Sequence, residues 1–232
     1  MAEYNSGAYF IKRKNSGRGH GGAILVLVLL VLTAAIVLLA IFLPRKKEGG
    51  GQVSLPISET KLYYLVTGET NEYTTALLMV QECASRGGAG YLFNDGTYHA
   101  VAAVYGKESD VRDLAAVNDG ARYFSLGFSG AALGKFDSSA LSYALGEFND
   151  TLFTAATELD RKSMSDAAAD NAVAAACRKL KALSMSVENA PLARAFDIAS
   201  EYDPNADNRT LLTYIRFVHV RATIEIYYAL TV

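Results

Sequence analysis

Histidine and cysteine could ligate a metal ion or act as base and nucleophile, but their spacing in this chain favours neither chemistry. The three histidines are His20, His99 and His219, and none has a histidine or cysteine four residues away, as a metal site on a helix requires. Serine and aspartate are frequent, yet no nucleophile-elbow motif is present. The sequence therefore predicts no catalytic residue, no metal site and no cofactor, and a protein that is not an enzyme.

The remaining reactive side chains fit structural roles. Glu147 and Asp150 fall on the polar side of a helical pattern, which is typical of a solvated helix face. Cys83 and Cys177 each lie inside a helical pattern, so we expect buried free thiols, with a disulfide between them as the alternative.

The elements that would position a binding site begin with residues 62–128. Strands are predicted at 62–67, 89–93, 98–105 and 122–126, where aromatic and β-branched residues are frequent. Helices are predicted at 72–85 and 108–117. The Asp95-Gly96 pair predicts a tight turn that pairs the second and third strands. The order β-α-β-β-α-β indicates one antiparallel sheet with both helices on one face, which leaves the other face open.

The first of these helices has a single predicted buried face. Its apolar residues recur at the spacing of one helical stripe, at Ala76, Leu77, Val80 and Ala84.

Helical periodicity dominates residues 137–232. Two seams with steps of three and four residues, 141–159 and 169–187, predict an antiparallel helical hairpin. A shorter helix is predicted at 191–202. Residues 208–232 fit both a helix and a strand, and their length favours a helix. We expect a helical domain whose core includes the following residues: Leu145, Phe148, Leu152, Val173, Leu180, Leu183, Phe196 and Ile215.

Charge is distributed unevenly along the 232 residues. Residues 1–47 carry seven of the 22 basic residues and one of the 24 acidic ones, which leaves residues 48–232 with a net charge of −8. An acidic body argues against nucleic acid as a ligand. Two cysteines exclude a disulfide-built scaffold.

A long apolar stretch lies between the two basic clusters. It begins at Ala23 and ends at Leu43, carries no charge, and has the length of a transmembrane helix. The alternative is a cleaved signal peptide, but such peptides have a shorter apolar region and a small-residue cleavage site. The sequence therefore predicts a single-pass membrane protein, with its N-terminus in the cytoplasm and most of the chain outside. Residues 1–22 are predicted to be a disordered tail and residues 44–61 a linker.

Residues 62–128 resemble the SPOR (sporulation-related repeat) domain family. The resemblance rests on an aromatic first strand that ends at Gly68, an alanine-bearing helix, and the segment RGGAGYLFNDG at 86–96. A strand that opens with Tyr98-His99-Ala100-Val101 follows, and then the acidic-start helix ESDVRDLAA at 108–116. Together with the apolar stretch and the helical periodicity, the resemblance predicts an α+β chain of the bacterial cytoplasmic membrane with one transmembrane helix at 23–43 and a small β-α-β-β-α-β SPOR-like domain at 62–128. The all-helical C-terminal domain predicted at 137–232 lies outside the resemblance.

SPOR domains bind peptidoglycan glycan strands at division or sporulation septa, and they use the exposed face of the sheet. On this chain the resemblance and the alternation of the strands place Tyr64, His99 and Tyr105 on that face as candidate glycan contacts. Val66, His99 and Ala103 stand where the family often has glutamine, arginine and glycine, so weak binding is expected.

The predicted function is therefore a non-enzymatic, membrane-anchored protein that binds peptidoglycan glycan strands at the septum. The alternative is a structural adaptor of a sporulation or division complex, in which the SPOR-like sheet binds protein. An open sheet face with aromatic and hydrogen-bonding residues would favour glycan, and an exposed apolar patch would favour protein.

Overall fold

The computed structural model describes residues 59–205 and 208–231. Within this part, four strands follow one another along the first half: β1 (Thr60–Thr70), β2 (Tyr91–Asn94), β3 (Tyr98–Tyr105) and β4 (Arg122–Phe128). They form one sheet in the order β2-β3-β1-β4, and all neighbouring strands are antiparallel. The two helices between them complete the β-α-β-β-α-β order of a ferredoxin-like unit, the order that the sequence predicts.

The hairpin between β2 and β3 forms where the sequence predicts it. Phe93 opposes His99, and Asn94 opposes Tyr98. Gly96 has a φ of 115°, which a residue with a side chain rarely adopts, so glycine is needed in this turn. The predicted pairing of the second and third strands is confirmed.

Irregular pairing between β1 and β3 changes the side-chain alternation. Val66 opposes Val101, but its neighbours in the ladder are Leu65, which opposes Ala103, and Gly68, which opposes Ala100. Strand β3 therefore has an extra residue at Ala102, and β1 has one at Thr67. A β-bulge of this kind disrupts strict alternation. The prediction that simple alternation places His99 and Tyr105 on one face is therefore wrong.

Two helices pack on one face of the sheet: α1 (Tyr73–Ser85) and α2 (Glu108–Val117). The residues of α1 that are buried are small, namely Ala76 and Cys83. A Cβ atom on Gly88 would lie 2.6 Å from the Cys83 sulfur and 3.1 Å from the Ala102 Cβ, so glycine allows the end of α1 to approach β3 closely.

The second half of the chain is helical: α3 (Lys135–Tyr143), a π-helical turn (Ala144–Phe148), α4 (Asn149–Asp160), α5 (Asp166–Ser184), α6 (Ala190–Ala199) and α7 (Leu211–Thr231). The Ser165 hydroxyl accepts a hydrogen bond from the Ala168 amide and caps α5, and the Asn189 side chain caps α6 through the Leu192 amide. The predicted helical hairpin is confirmed as α4 and α5, and the ambiguous last stretch is a helix.

Helix α7 lies between the sheet and the other helices of the second half of the chain. It packs against β2, β3 and β4 on one side and against α4, α5 and α6 on the other. Of the eight core residues predicted for the helical part, seven are buried and Leu183 is partly buried. Residues of the sheet and of all these helices belong to one continuous hydrophobic cluster.

The fold class predicted from the sequence needs a correction in its division of the chain into two separate domains. The expected SPOR-like domain and the expected helical domain are not separate, because α7 joins their cores in a single unit, Gln52–Val232. No helix within residues 59–205 and 208–231 is long and apolar enough to cross a membrane. Even the 21-residue α7 carries Arg216, Arg221 and Glu225. The predicted transmembrane stretch from Ala23 to Leu43, the tail at 1–22 and residues 44–58 of the linker lie outside the described residues.

Candidate functional site: the sheet face bearing Tyr64 and His99

Tyr64, the first predicted glycan contact, is enclosed. It lies in β1, is 0% exposed, and stacks on Phe124 of β4 with ring centroids 5.1 Å apart. Its hydroxyl lies beside Thr223 of α7 but has no hydrogen bond of good geometry. Desolvation by burial raises the pKa of Tyr64 well above its usual value. The prediction that Tyr64 faces solvent is wrong.

Helix α7 covers the sheet face that the sequence leaves open. The Tyr91 hydroxyl donates a hydrogen bond to Glu225 over 3.2 Å, and the Tyr228 hydroxyl donates to the Asn94 carbonyl over 3.2 Å. The rings of Phe93 and Tyr228 stack with centroids 6.0 Å apart. These contacts tie α7 to the edge strand β2, so a glycan strand has no access to the middle of this face.

At the sheet edge, Arg216 of α7 makes a further bond to the loop that follows α1. Its guanidinium donates a 2.7 Å hydrogen bond to the Gly87 carbonyl and a second bond, of 2.9 Å, to Asp160. One side chain therefore connects the sheet half to α4.

His99, the second predicted contact, lies at the rim of the covered face and is 8% exposed. Its Nε2 lies 3.0 Å from the Asp95 carboxylate and its Nδ1 lies 3.4 Å from Glu69. The rings of Phe93 and Phe124 flank it. The prediction that His99 faces out is therefore also wrong, because its ring is held between two carboxylates and two aromatic rings.

The carboxylates around His99 are themselves partnered. Desolvation is the largest single influence on the pKa of Asp95 and raises it, but the hydrogen bonds with the His99 ring and the Thr97 amide together outweigh desolvation, so the pKa of Asp95 is lowered. Glu69 accepts a 3.1 Å bond from Arg122 of β4. This polar cluster joins the hairpin turn, β1 and β4 at one end of the sheet.

Tyr105, the third predicted contact, lies apart from the other two. It is half-buried at the end of β3, where its ring meets Phe153 of α4 edge-on, with centroids 5.8 Å apart. Burial raises the pKa of its hydroxyl. The three residues predicted to form one glycan site therefore do not share an open surface.

The remaining histidine and the two cysteines of the described residues are also buried. His219 lies in the core with its Nε2 2.7 Å from the Asn149 side-chain oxygen, and burial lowers its pKa to about 3. Both cysteines are buried free thiols, as predicted, and burial raises the pKa of Cys177 to about 12. Across the described ranges, no group of three histidine, cysteine or acidic side chains could hold a metal ion. His20 lies outside those ranges.

Two surface cavities lie elsewhere. One of about 660 Å³ lies between the end of α1 and the start of α7 and is lined by Ser85, Arg209 and Thr213, among others. The other, of about 270 Å³, is lined by residues of α5 and of the segment after α6, including Cys177 and Tyr202. Neither cavity contains a residue of the predicted glycan site.

Sequence reasoning missed an exposed apolar surface on α1. Tyr73 is 55% exposed, Leu77 39% and Leu78 64%. The prediction that Leu77 points into the core is wrong, because the smaller Ala76 and Cys83 occupy the side that faces the sheet. The signal that could have indicated this surface is the unbroken apolar run from Ala76 to Val80, which is wider than one helix face.

No protein family, curated protein sequence or solved structure matches this chain. The resemblance to the SPOR family remains a prediction from the residues of 62–128.

Proposed function

We propose that this chain is a non-enzymatic adaptor that binds protein, with the SPOR-like unit as its scaffold. The observation that carries the proposal is the closure of the sheet face by α7. Tyr64 has no exposed surface and His99 almost none, so the aromatic platform that a glycan strand would need is occupied by the chain itself.

Removing α7 from the sheet would be costly. Its buried side chains include Ile215, Val218 and Ile224, which are fully enclosed. Exposing such side chains costs about 1.5–3 kcal/mol each. Glycan binding through this face would therefore require the core of the unit to open.

An exposed apolar surface is the feature that favours a protein partner over a sugar. The side chains Tyr73, Leu77 and Leu78 lie together on α1, on the face of the sheet opposite to α7. Clustered exposed apolar side chains are typical of surfaces that bind proteins. The partners proposed are components of a bacterial division or sporulation complex, and this proposal rests on the resemblance alone.

Localisation at the bacterial cytoplasmic membrane remains a separate proposal that rests on the uncharged stretch 23–43. Extraction of membranes with carbonate at high pH tests it. Release of the full-length chain into the supernatant would reject it.

A sedimentation experiment with purified peptidoglycan tests the adaptor proposal against the glycan alternative. Residues 52–232 are mixed with intact peptidoglycan and with glycan strands stripped of stem peptides, beside a glycan-binding protein as positive control. We expect the chain to stay in the supernatant in both mixtures. Sedimentation of the chain with stripped strands to the extent of the positive control would reject the adaptor proposal and support the glycan alternative.

A further inference from the structure

The tripeptide Asn-Asp-Gly occurs twice in this chain, at 94–96 and at 118–120, and these are its only two Asp-Gly bonds. An Asp-Gly bond is chemically reactive, because glycine has no side chain that would shield its amide nitrogen from the neighbouring carboxyl group. Both copies lie in turns, and all six residues are exposed. Since the two sequences are identical, a difference in their reactivity must come from the fold.

In the hairpin between β2 and β3, the fold restrains both reactive groups. The Gly96 amide donates a 2.9 Å hydrogen bond to the side-chain oxygen of Asn94. The Asp95 carboxylate accepts a 3.2 Å bond from the Thr97 amide and lies 3.0 Å from Nε2 of His99. Desolvation raises the pKa of Asp95, but these bonds lower it overall. The carboxyl group therefore stays ionised and is a poor target for an amide nitrogen.

The turn after α2 lacks these restraints. The Asn118 side chain donates a 2.7 Å hydrogen bond to the Leu114 carbonyl, so the asparagine that holds the glycine amide in the hairpin ends a helix here. Among the described residues, neither the Gly120 amide nor the Asp119 carboxylate has a hydrogen-bond partner. The amide nitrogen and the carboxyl group of this copy are therefore both free to react.

One backbone hydrogen bond closes this second turn. The Ala121 amide donates to the Asn118 carbonyl over 3.0 Å. Gly120 has a φ of 77°, which glycine adopts readily at the third position of such a turn. A Cβ atom on Gly120 would meet no other atom within 4 Å, so the space around this peptide bond is open. The peptide plane between Asp119 and Gly120 can therefore rotate toward the carboxyl group without displacing a neighbour.

We propose that Asp119 is a site of spontaneous conversion to isoaspartate, and that the fold protects Asp95 in the identical tripeptide. The Gly120 nitrogen attacks the side-chain carboxyl carbon of Asp119 in its neutral form. A C–N bond forms, and the amide proton and the carboxyl hydroxyl leave as water. The product is a five-membered succinimide ring.

Water then opens the ring at one of its two carbonyl carbons. Opening at the side-chain carbonyl restores aspartate. Opening at the main-chain carbonyl leaves the chain running through the side-chain carbon, which is isoaspartate. The cycle needs no oxidant, reductant or cofactor, because one water leaves and one water returns.

The modification would change the connection between α2 and β4. Isoaspartate adds one methylene to the main chain, and β4 begins at Arg122, shortly after the turn. The Tyr123 hydroxyl of β4 donates a 3.0 Å hydrogen bond to Glu108 of α2, so this connection also contributes to the contact between the two elements. The site lies outside the face that α7 covers, and the inference is independent of the proposed function.

Incubation of the purified full-length chain in water enriched in oxygen-18 tests the inference. Each opening of the succinimide incorporates one heavy oxygen, and trypsin digestion in ordinary water followed by mass spectrometry locates it. The two tripeptides fall in different tryptic peptides, 87–107 and 113–122. We expect label at Asp119 to accumulate at least about tenfold faster than at Asp95, because the hairpin must first break its hydrogen bonds.

The same incubation in urea is the matched control, because the two identical tripeptides then lose their different surroundings and should be labelled at similar rates. Equal labelling of the two positions in the folded chain would overturn the inference. Faster labelling at Asp95 than at Asp119 would overturn it as well.

Two variants separate the protection of one copy from the reactivity of the other. Asn94→Ala frees the Gly96 amide and should raise labelling at Asp95 about two- to fivefold, with labelling at Asp119 unchanged. Asp119→Glu keeps the charge, but its longer side chain would have to form a six-membered ring, so labelling of peptide 113–122 should disappear. Label that persists in this peptide would assign the reaction to another residue and reject the site.

Discussion

Helices α1 and α7 pack on opposite faces of the same sheet, yet α7 buries a much larger share of its side chains than α1. Helix α7 is enclosed on both sides, and ten of its 21 residues are buried. Helix α1 buries Ala76 and Cys83 and leaves two leucines in solvent. The comparison indicates that the face covered by α7 maintains the fold and that the outer side of α1 is available to a partner.

The polar residues of α7 support this interpretation. The Thr223 hydroxyl donates to carbonyls of its own helix, and His219 is paired with Asn149. Buried polar groups that have partners are typical of a permanent interior rather than of a surface that opens for a ligand.

The largest expected effect is a substitution in the middle of α7. Ile224→Ala removes a fully buried side chain from the cluster that joins the sheet and the helices, and should cost about 2–5 kcal/mol of unfolding free energy. Urea unfolding followed by circular dichroism and by tyrosine fluorescence measures it. Both signals should report one transition, and in the variant that transition should move to a lower urea concentration for both. Two separate transitions would mean that the sheet and the helices fold independently, and would break the comparison.

Acid should destabilise the protein through His219. Its pKa is about 3 in the folded protein, against an ordinary 6.5, so the unfolded chain binds the proton more tightly. The stability from the neutral, buried ring is fully present above pH 6.5 and is lost as pH falls toward 3. Between pH 7.5 and 5.0 this amounts to about 2 kcal/mol.

Urea unfolding at the two pH values measures the loss, and His219→Gln serves as the matched variant because its amide does not titrate. We expect a pH dependence smaller by about 2 kcal/mol in the variant. An equal dependence in parent and variant would show that His219 is not the group responsible.

A smaller effect is expected at Tyr64, under α7. Its hydroxyl is buried without a hydrogen bond of good geometry, so Tyr64→Phe removes an unsatisfied polar atom and keeps the ring stacked on Phe124. Stability should stay unchanged or rise by up to about 1 kcal/mol. A loss of more than 1 kcal/mol would show that Thr223 accepts a bond from this hydroxyl.

The helices and strands of this fold can be predicted from the sequence far better than the way in which they pack. The steps of three and four residues in the helical seams show which residues are buried, because burial is what selects apolar side chains. They do not show which helix packs against which face of the sheet. Nothing in the pattern of α7 distinguishes a helix packed on other helices from one that also covers a sheet, so Tyr64 could not be recognised as buried from its own strand.

Two local features escaped prediction for other reasons. The bulge at Val66 depends on how β1 and β3 pair, and this pairing cannot be predicted from the sequence of either strand alone. The outward position of Leu77 follows from close packing of α1 on β3, which favours the small Ala76 and Cys83 on the inner side. Hydrophobicity alone would have placed the leucine inside.

The smallest effect is expected from Leu78→Ala, the counterpart on α1 of the substitution in α7. Leu78 is 64% exposed and alanine is a strong helix former, so the isolated chain should change in stability by no more than about 0.5 kcal/mol. Thermal unfolding of the parent and the variant at low protein concentration measures the change. A loss above 1 kcal/mol at low concentration would mean that Leu78 packs within its own chain, and the contrast between the two helices would then fail.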